Sequence, residues 1–166
     1  MGYYEVPGMT LIPQKLTMSC WYASTQMLIQ WKQDQVRQSL ARLVPPDLDA
    51  QCAMIRDGNA GVQNSQIVPM AKRLGLRSIP PESPTPDGLE DWLRSYGPLW
   101  VNGKNHIVVI GGINTKTLMV KIYDPWPPNI GQIEWRSLAT WYAFGTSAST
   151  RDTGRDVEAV FLYVPR

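Results

Sequence analysis

Up to Tyr96 the apolar residues of this chain recur at helical spacing, and beyond Gly97-Pro98 they fall into short β-branched and aromatic runs. No other feature constrains the fold as much, because a helix and a strand bury their apolar residues with different periods. Helices first and strands second predict an α+β fold, with a helical lobe over about 14–96 and a sheet lobe over about 97–166. Within the first part, Cys20, Ala23, Met27, Leu28 and Trp31 mark a buried helix over 20–32, with Ser19 as its N-cap. Further helices are expected over 34–43, ending before Pro45-Pro46, over 47–57, stopped by Gly58, from Asn64-Ser65 to Leu74 with Gly75 as C-cap, and over 87–96. Residues 1–13 read as an extended lead-in and 78–86 as a Pro-rich loop. Strands are expected over 99–101, 106–110, 118–123 and 158–164, and a short helix over 138–144.

Cys20 opens the first helix, so its thiol lies at the positive end of the helix dipole, which favours thiolate. Gln14 stands just ahead of it, and a side-chain amide there can donate to an oxyanion together with the backbone N–H of Cys20. A thiol nucleophile also needs a base, and the chain has one histidine, His106. A hairpin whose turn centres near Thr115 places His106 directly opposite Asp124, on one face of the sheet. Asp124 could then orient the imidazole and leave its other nitrogen for the thiol. The placement depends on parity: a slip of one residue puts the two side chains on opposite faces.

Composition excludes other classes. The net charge of +2 is small and its basic residues are scattered, so no nucleic-acid surface is indicated. No apolar run approaches the ~18 residues of a membrane span. The N-terminal MGYYEVPGM lacks a basic and an apolar region, so no signal peptide is read there. Two cysteines make no disulfide framework, and one histidine without CxxC or HExxH offers no metal site. Cys52 and most tryptophans read as core.

The blocks Gln14…Ser19-Cys20-Trp21, His106 to Gly111 and Tyr123-Asp124-Pro125-Trp126 resemble the papain-like cysteine peptidases. They are most similar to the compact bacterial branch of bacteriocin-processing peptidases and effector proteases. Thr17 stands where papain's C-G-S-C-W signature has its first cysteine, so that disulfide is absent. Cys20 and His106 are closer than the ~130–150 residues typical of papain and cathepsins, and Asp replaces papain's Asn. The resemblance implies a two-lobe fold with a twisted antiparallel sheet, and a Cys20–His106–Asp124 triad acting without cofactor on a protein substrate through a thioester. It implies Gln14 and the Cys20 N–H as the oxyanion hole, and Trp21 and Trp126 as candidate cleft walls. It also implies a secreted toxin or effector of interbacterial competition, delivered by a specialised secretion system into a target-cell cytoplasm. Such a protein would cut after small residues such as glycine and be blocked by a cognate immunity protein. The same triad would serve a glutamine deamidase or transglutaminase-like toxin, and a catalytically silent binding module would keep the fold.

Overall fold

The first helix, α1 (Cys20–Val36), is buried on all sides in its first half: Trp21 to Thr25 and Met27 to Ile29 are all shielded from solvent. A helix apolar all round belongs in the centre of a domain, and α1 lies there, against the sheet. The computed structural model describes residues 2–38, 40–79, 84–103, 106–139 and 160–166. In chain order the other elements are β1 (Tyr3–Glu5), a 3-10 turn (Pro46–Leu48), α2 (Ala50–Asp57), α3 (Asn64–Leu74), β2 (Arg77–Ile79), α4 (Pro86–Tyr96), β3 (Leu99–Gly103), β4 (His106–Asn114), β5 (Met119–Asp124), β6 (Gln132–Ser137) and β7 (Phe161–Tyr163). This is an α+β fold, as the sequence predicts. None of these helices is long and apolar enough to cross a membrane.

All strand pairings are antiparallel, in the order β2-β7-β3-β4-β5-β6, and β1 pairs with the far end of β4. Alternation along β4 divides the core. Ile107 and Val109 join Trp21, Met27, Leu28 and Trp100, while Val108 and Ile110 join Leu89 and Leu93 of α4. The sheet is therefore buried on both faces, and its central strands read as continuous apolar runs.

Several expectations are corrected. Among the described residues no separate helix runs over 34–43: α1 runs on to Val36 and stops at Arg37, whose left-handed conformation (φ 55°) turns the chain. Leu43 then folds into the core and Val44 N–H bonds Leu74 O at 3.1 Å, which a continuing helix would prevent. Residues 3–5, 77–79 and 132–137 are strands that the sequence pattern did not mark. Gly75 does cap α3 in the left-handed region (φ 83°), and a Cβ there would lie 2.0 Å from Arg42 O. The expected helix over 138–144 and the start of the 158–164 strand fall partly outside the described residues.

The hairpin of β4 and β5 has a four-residue turn, 115–118, rather than one centred near Thr115. Next to the turn, Asn114 faces Met119, Ile113 faces Val120 and Gly112 faces Lys121. Continued unchanged, that register would put Val109 opposite Asp124 and His106 on the other face of the sheet. A β-bulge between Ile110 and Gly112 prevents this: beyond it, Ile110 faces Ile122 and Val109 faces Tyr123. The residue opposite Asp124 is thus Val108, and His106 is its diagonal neighbour on the same face. The expected direct pairing is wrong by two residues; the shared face survives because the bulge restores parity.

Gly111 makes the bulge sterically available. A Cβ at this position would sit 2.4 Å from Tyr123 Cε1 and 2.9 Å from Cδ1, well inside contact distance. Its carbonyl turns outward to accept Val6 N–H at 2.8 Å, so the displaced backbone group is satisfied.

Candidate active site

The loop ahead of Cys20 is anchored before the helix begins. Asn59, itself left-handed (φ 50°), accepts Met18 N–H at 3.0 Å and donates to Thr17 Oγ1 at 2.9 Å. Ser19 occupies the N-cap position, but its side chain makes no cap bond. Its Oγ instead pairs with Leu16 N and O, each at 3.1 Å, closing the loop on itself. Cys20 follows, half-buried, with its N–H in the first turn, where backbone donors lack helical acceptors.

Helix geometry then brings the thiol to the start of β4. Ser24 lies one turn on from Cys20, on the same face, and its Oγ donates to Ile107 O at 3.4 Å. The neighbouring residue on that strand is His106, and the Cys20 thiol is near enough to its ring to help raise the imidazole pKa. The ring nitrogen Nε2 is 2.6 Å from Asp124 Oδ1. An ionised carboxylate has no proton to give, so Nε2–H donates, and Nδ1 is left for the thiol.

Both groups are shielded: His106 is 7% exposed and Asp124 is fully buried. Burial alone would lower the imidazole pKa, but the hydrogen bonds and charges of Asp124 and Cys20 outweigh it and raise His106 to about 9. Burial pushes the Asp124 carboxyl up. His106, then Arg136 and the Trp126 N–H, overcome this and hold it below the ordinary carboxylate range. Oδ1 also accepts Trp126 N–H at 2.9 Å, and Oδ2 accepts Arg136 Nη2 at 2.6 Å.

The remaining predicted residues divide. Gln14 is buried, and its backbone is clamped by the segment that follows Asp124: Gln14 N–H donates to Pro125 O at 3.0 Å and Asn129 N–H to Gln14 O at 2.8 Å. Its Nε2 lies 2.8 Å from Leu16 O and 3.0 Å from Thr17 O, and Oε1 is buried without a hydrogen-bond partner among the described residues. Trp126 is half-buried beside Asp124. Trp21 corrects its expectation. It is wholly buried in the core, donating Nε1–H to Ala60 O at 3.0 Å, so it packs the helix rather than walling a cleft. Cys52 is buried beside Asp49, and burial pushes its thiol up to about 12. Among the described residues, no group of three or more His, Cys, Asp or Glu gathers where a metal could be held.

Sequence reasoning missed Arg136. It lies on β6, where Gln132, Glu134 and Arg136 alternate with Ile133 and Trp135. That alternation was a usable strand signal, but nothing in it tied the arginine to Asp124.

A thiol at a helix start, an imidazole on the facing strand and a carboxylate behind it define the class of cysteine hydrolases. The chain belongs to the family described as papain-like cysteine protease AvrRpt2, whose pattern matches residues 2–143. It is a papain-like cysteine peptidase. Among solved structures, it resembles a double glycine motif protease from an AMS/PCAT transporter, crystallised with a leader peptide: TM-score 0.56, 18% identity, covering 96% of this chain and 92% of that one. It also resembles the peptidase domain of Streptococcus ComA, a bifunctional ABC transporter of a quorum-sensing pathway: TM-score 0.54, 20% identity, 95% and 99% covered. A third is UfSP from C. elegans, with TM-score 0.56 and 12% identity, covering 99% of this chain but 34% of that one. At these identities the likeness is one of fold. A search of curated proteins by sequence gives no match.

Proposed function

We propose that the protein is an endopeptidase in which Cys20 is the nucleophile, His106 the acid–base and Asp124 its orienter. The observation that carries this reading is the 2.6 Å bond between His106 Nε2 and Asp124 Oδ1, with the Cys20 thiol near enough to the ring to help raise its pKa. The imidazole takes up the thiol proton. The thiolate attacks the scissile carbonyl, and the oxyanion takes donors from the Cys20 N–H and Gln14 Nε2. For Gln14 this means exchanging one of its bonds to Leu16 O or Thr17 O for the oxyanion. The imidazolium gives its proton to the leaving amine, and water then hydrolyses the thioester. Trp126, next to Asp124, is the remaining candidate for a cleft wall.

The substrate we propose is a specific protein in the cytosol of a cell that receives this one as a toxin or effector, with a cognate immunity protein as inhibitor. A small residue, such as glycine, precedes the cut bond. The fold's likeness to a double-glycine protease supports that preference.

The test compares wild type with Cys20→Ala by expression toxicity, new N-termini in the proteome and a peptide library. Toxicity, new termini after small residues, and their loss in the alanine variant are expected. Equal toxicity of the two would defeat the catalytic reading. A target that gains slight mass while its chain stays whole would instead mark a deamidase.

A further inference from the structure

We infer that Arg136 is a positioning residue for the reaction: it holds Oδ2 of Asp124 so that Oδ1 stays on His106. The inference rests on the triad reading above. An Asp carboxylate turns easily about its last torsion, which is broad and roughly two-fold. Two donors, His106 Nε2 and Trp126 N–H, converge on Oδ1, at 2.6 and 2.9 Å. Among the described residues, the hydrogen-bond partner of Oδ2 is Arg136 Nη2, at 2.6 Å. Without it a fully buried oxygen would lose its charged partner, and the carboxylate would be free to rotate toward other donors.

The register shows that this contact is reached for rather than incidental. Gln132 stands directly opposite Asp124, whereas Arg136 stands opposite Val120 and leans back along the sheet. Its Nε and Nη2 both contact Glu134 Oε1, and Nη2 also reaches Asp124 Oδ2, so the guanidinium ties a 42% exposed carboxylate to a fully buried one. A lysine offers one point charge on a flexible stem and lacks the second donor, Nε, that fixes the guanidinium on Glu134. The bland alternative is an edge-strand ion pair in which Glu134 is the partner that matters.

The experiment uses the whole protein and the best peptide from the library. Arg136→Gln is expected to lower kcat by about 10- to 100-fold, with KM within about twofold. In an Asp124→Asn background the same change should cost less than about twofold, because the group it acts through is already altered. Glu134→Gln should stay within about twofold of wild type. A spectroscopic readout accompanies the kinetics. His106 is the sole histidine, so its downfield Nε2–H proton signal is assigned without ambiguity. The signal should move or broaden in Arg136→Gln and persist in Glu134→Gln.

If Arg136→Gln does not fold, Arg136→Lys carries the same cycle, with at least a threefold loss of kcat expected in wild type and none in the Asp124→Asn background. Wild-type kcat and an unchanged Nε2–H signal in the Arg136 variants would overturn the inference, as would equal losses in both backgrounds. If wild type itself cleaves no peptide and Cys20 reacts with iodoacetamide no faster than a free thiol, the peptidase reading fails instead.

Discussion

Replacing Gly111 with alanine tests the link between the bulge and the catalytic geometry. The new Cβ would lie 2.4 Å from Tyr123 Cε1 and 2.9 Å from Cδ1. Tyr123 is itself buried in the cluster that includes Trp100 and Val109, so its ring has nowhere to retreat. Overpacking of this kind costs about 1–3 kcal/mol, and a clash with an enclosed aromatic ring belongs at the upper end. For a chain of this size that is a fall in Tm of about 5–10 °C. The strain acts on the bulge that keeps His106 and Asp124 on one face, so kcat/KM should fall by at least about 100-fold as the pair separates. Thermal unfolding and peptide hydrolysis measure the two effects. Tyr123→Leu, which makes room for the methyl group, should recover part of both in the double variant. A Gly111→Ala protein with wild-type Tm and activity would refute the steric account of the bulge and the parity argument built on it.

Three further outcomes follow from the same geometry. The raised pKa of His106, about 9, means that the folded state binds its proton more tightly than the unfolded chain. About 3 kcal/mol of stability should therefore be fully present below about pH 6.5 and lost as pH rises through about 9, as urea unfolding would show, with His106→Asn losing less over that window. Asp124→Ala leaves the Arg136 charge, the Trp126 N–H and the imidazole without their shared acceptor, and should lower stability by about 3–5 kcal/mol in the same assay. Cys52, with its thiol pushed up to about 12, should resist iodoacetamide until the protein unfolds, leaving Cys20 as the single alkylated site by peptide mass.

The parts of the site written in local pattern were legible before the structure. The start of α1 at Cys20, the C-cap at Gly75 and the strand that opens at His106 each follow from neighbouring residues. The register did not, because it depends on a bulge. The bulge needs Gly111 to meet Tyr123 across the hairpin, and a linear pattern carries no such contact. Strands β1 and β2 were missed for a related reason: three residues carry almost no periodicity, and each is a strand only because Asn114 or Tyr163 lies beside it. Trp21 misled because a large aromatic beside a candidate nucleophile is equally suited to a cleft and a core. Burial decided for the core. Arg136 was illegible because its partner lies along the sheet rather than directly across it.

The central claim is that Cys20 and His106 form an activated pair. The rate at which iodoacetamide alkylates Cys20 at pH 6, in wild type and His106→Asn, tests it most directly, since no substrate is needed. Reaction well over tenfold faster than glutathione in wild type, falling to the free-thiol rate in the variant, is the predicted result. Alkylation at the free-thiol rate in both proteins would contradict the account.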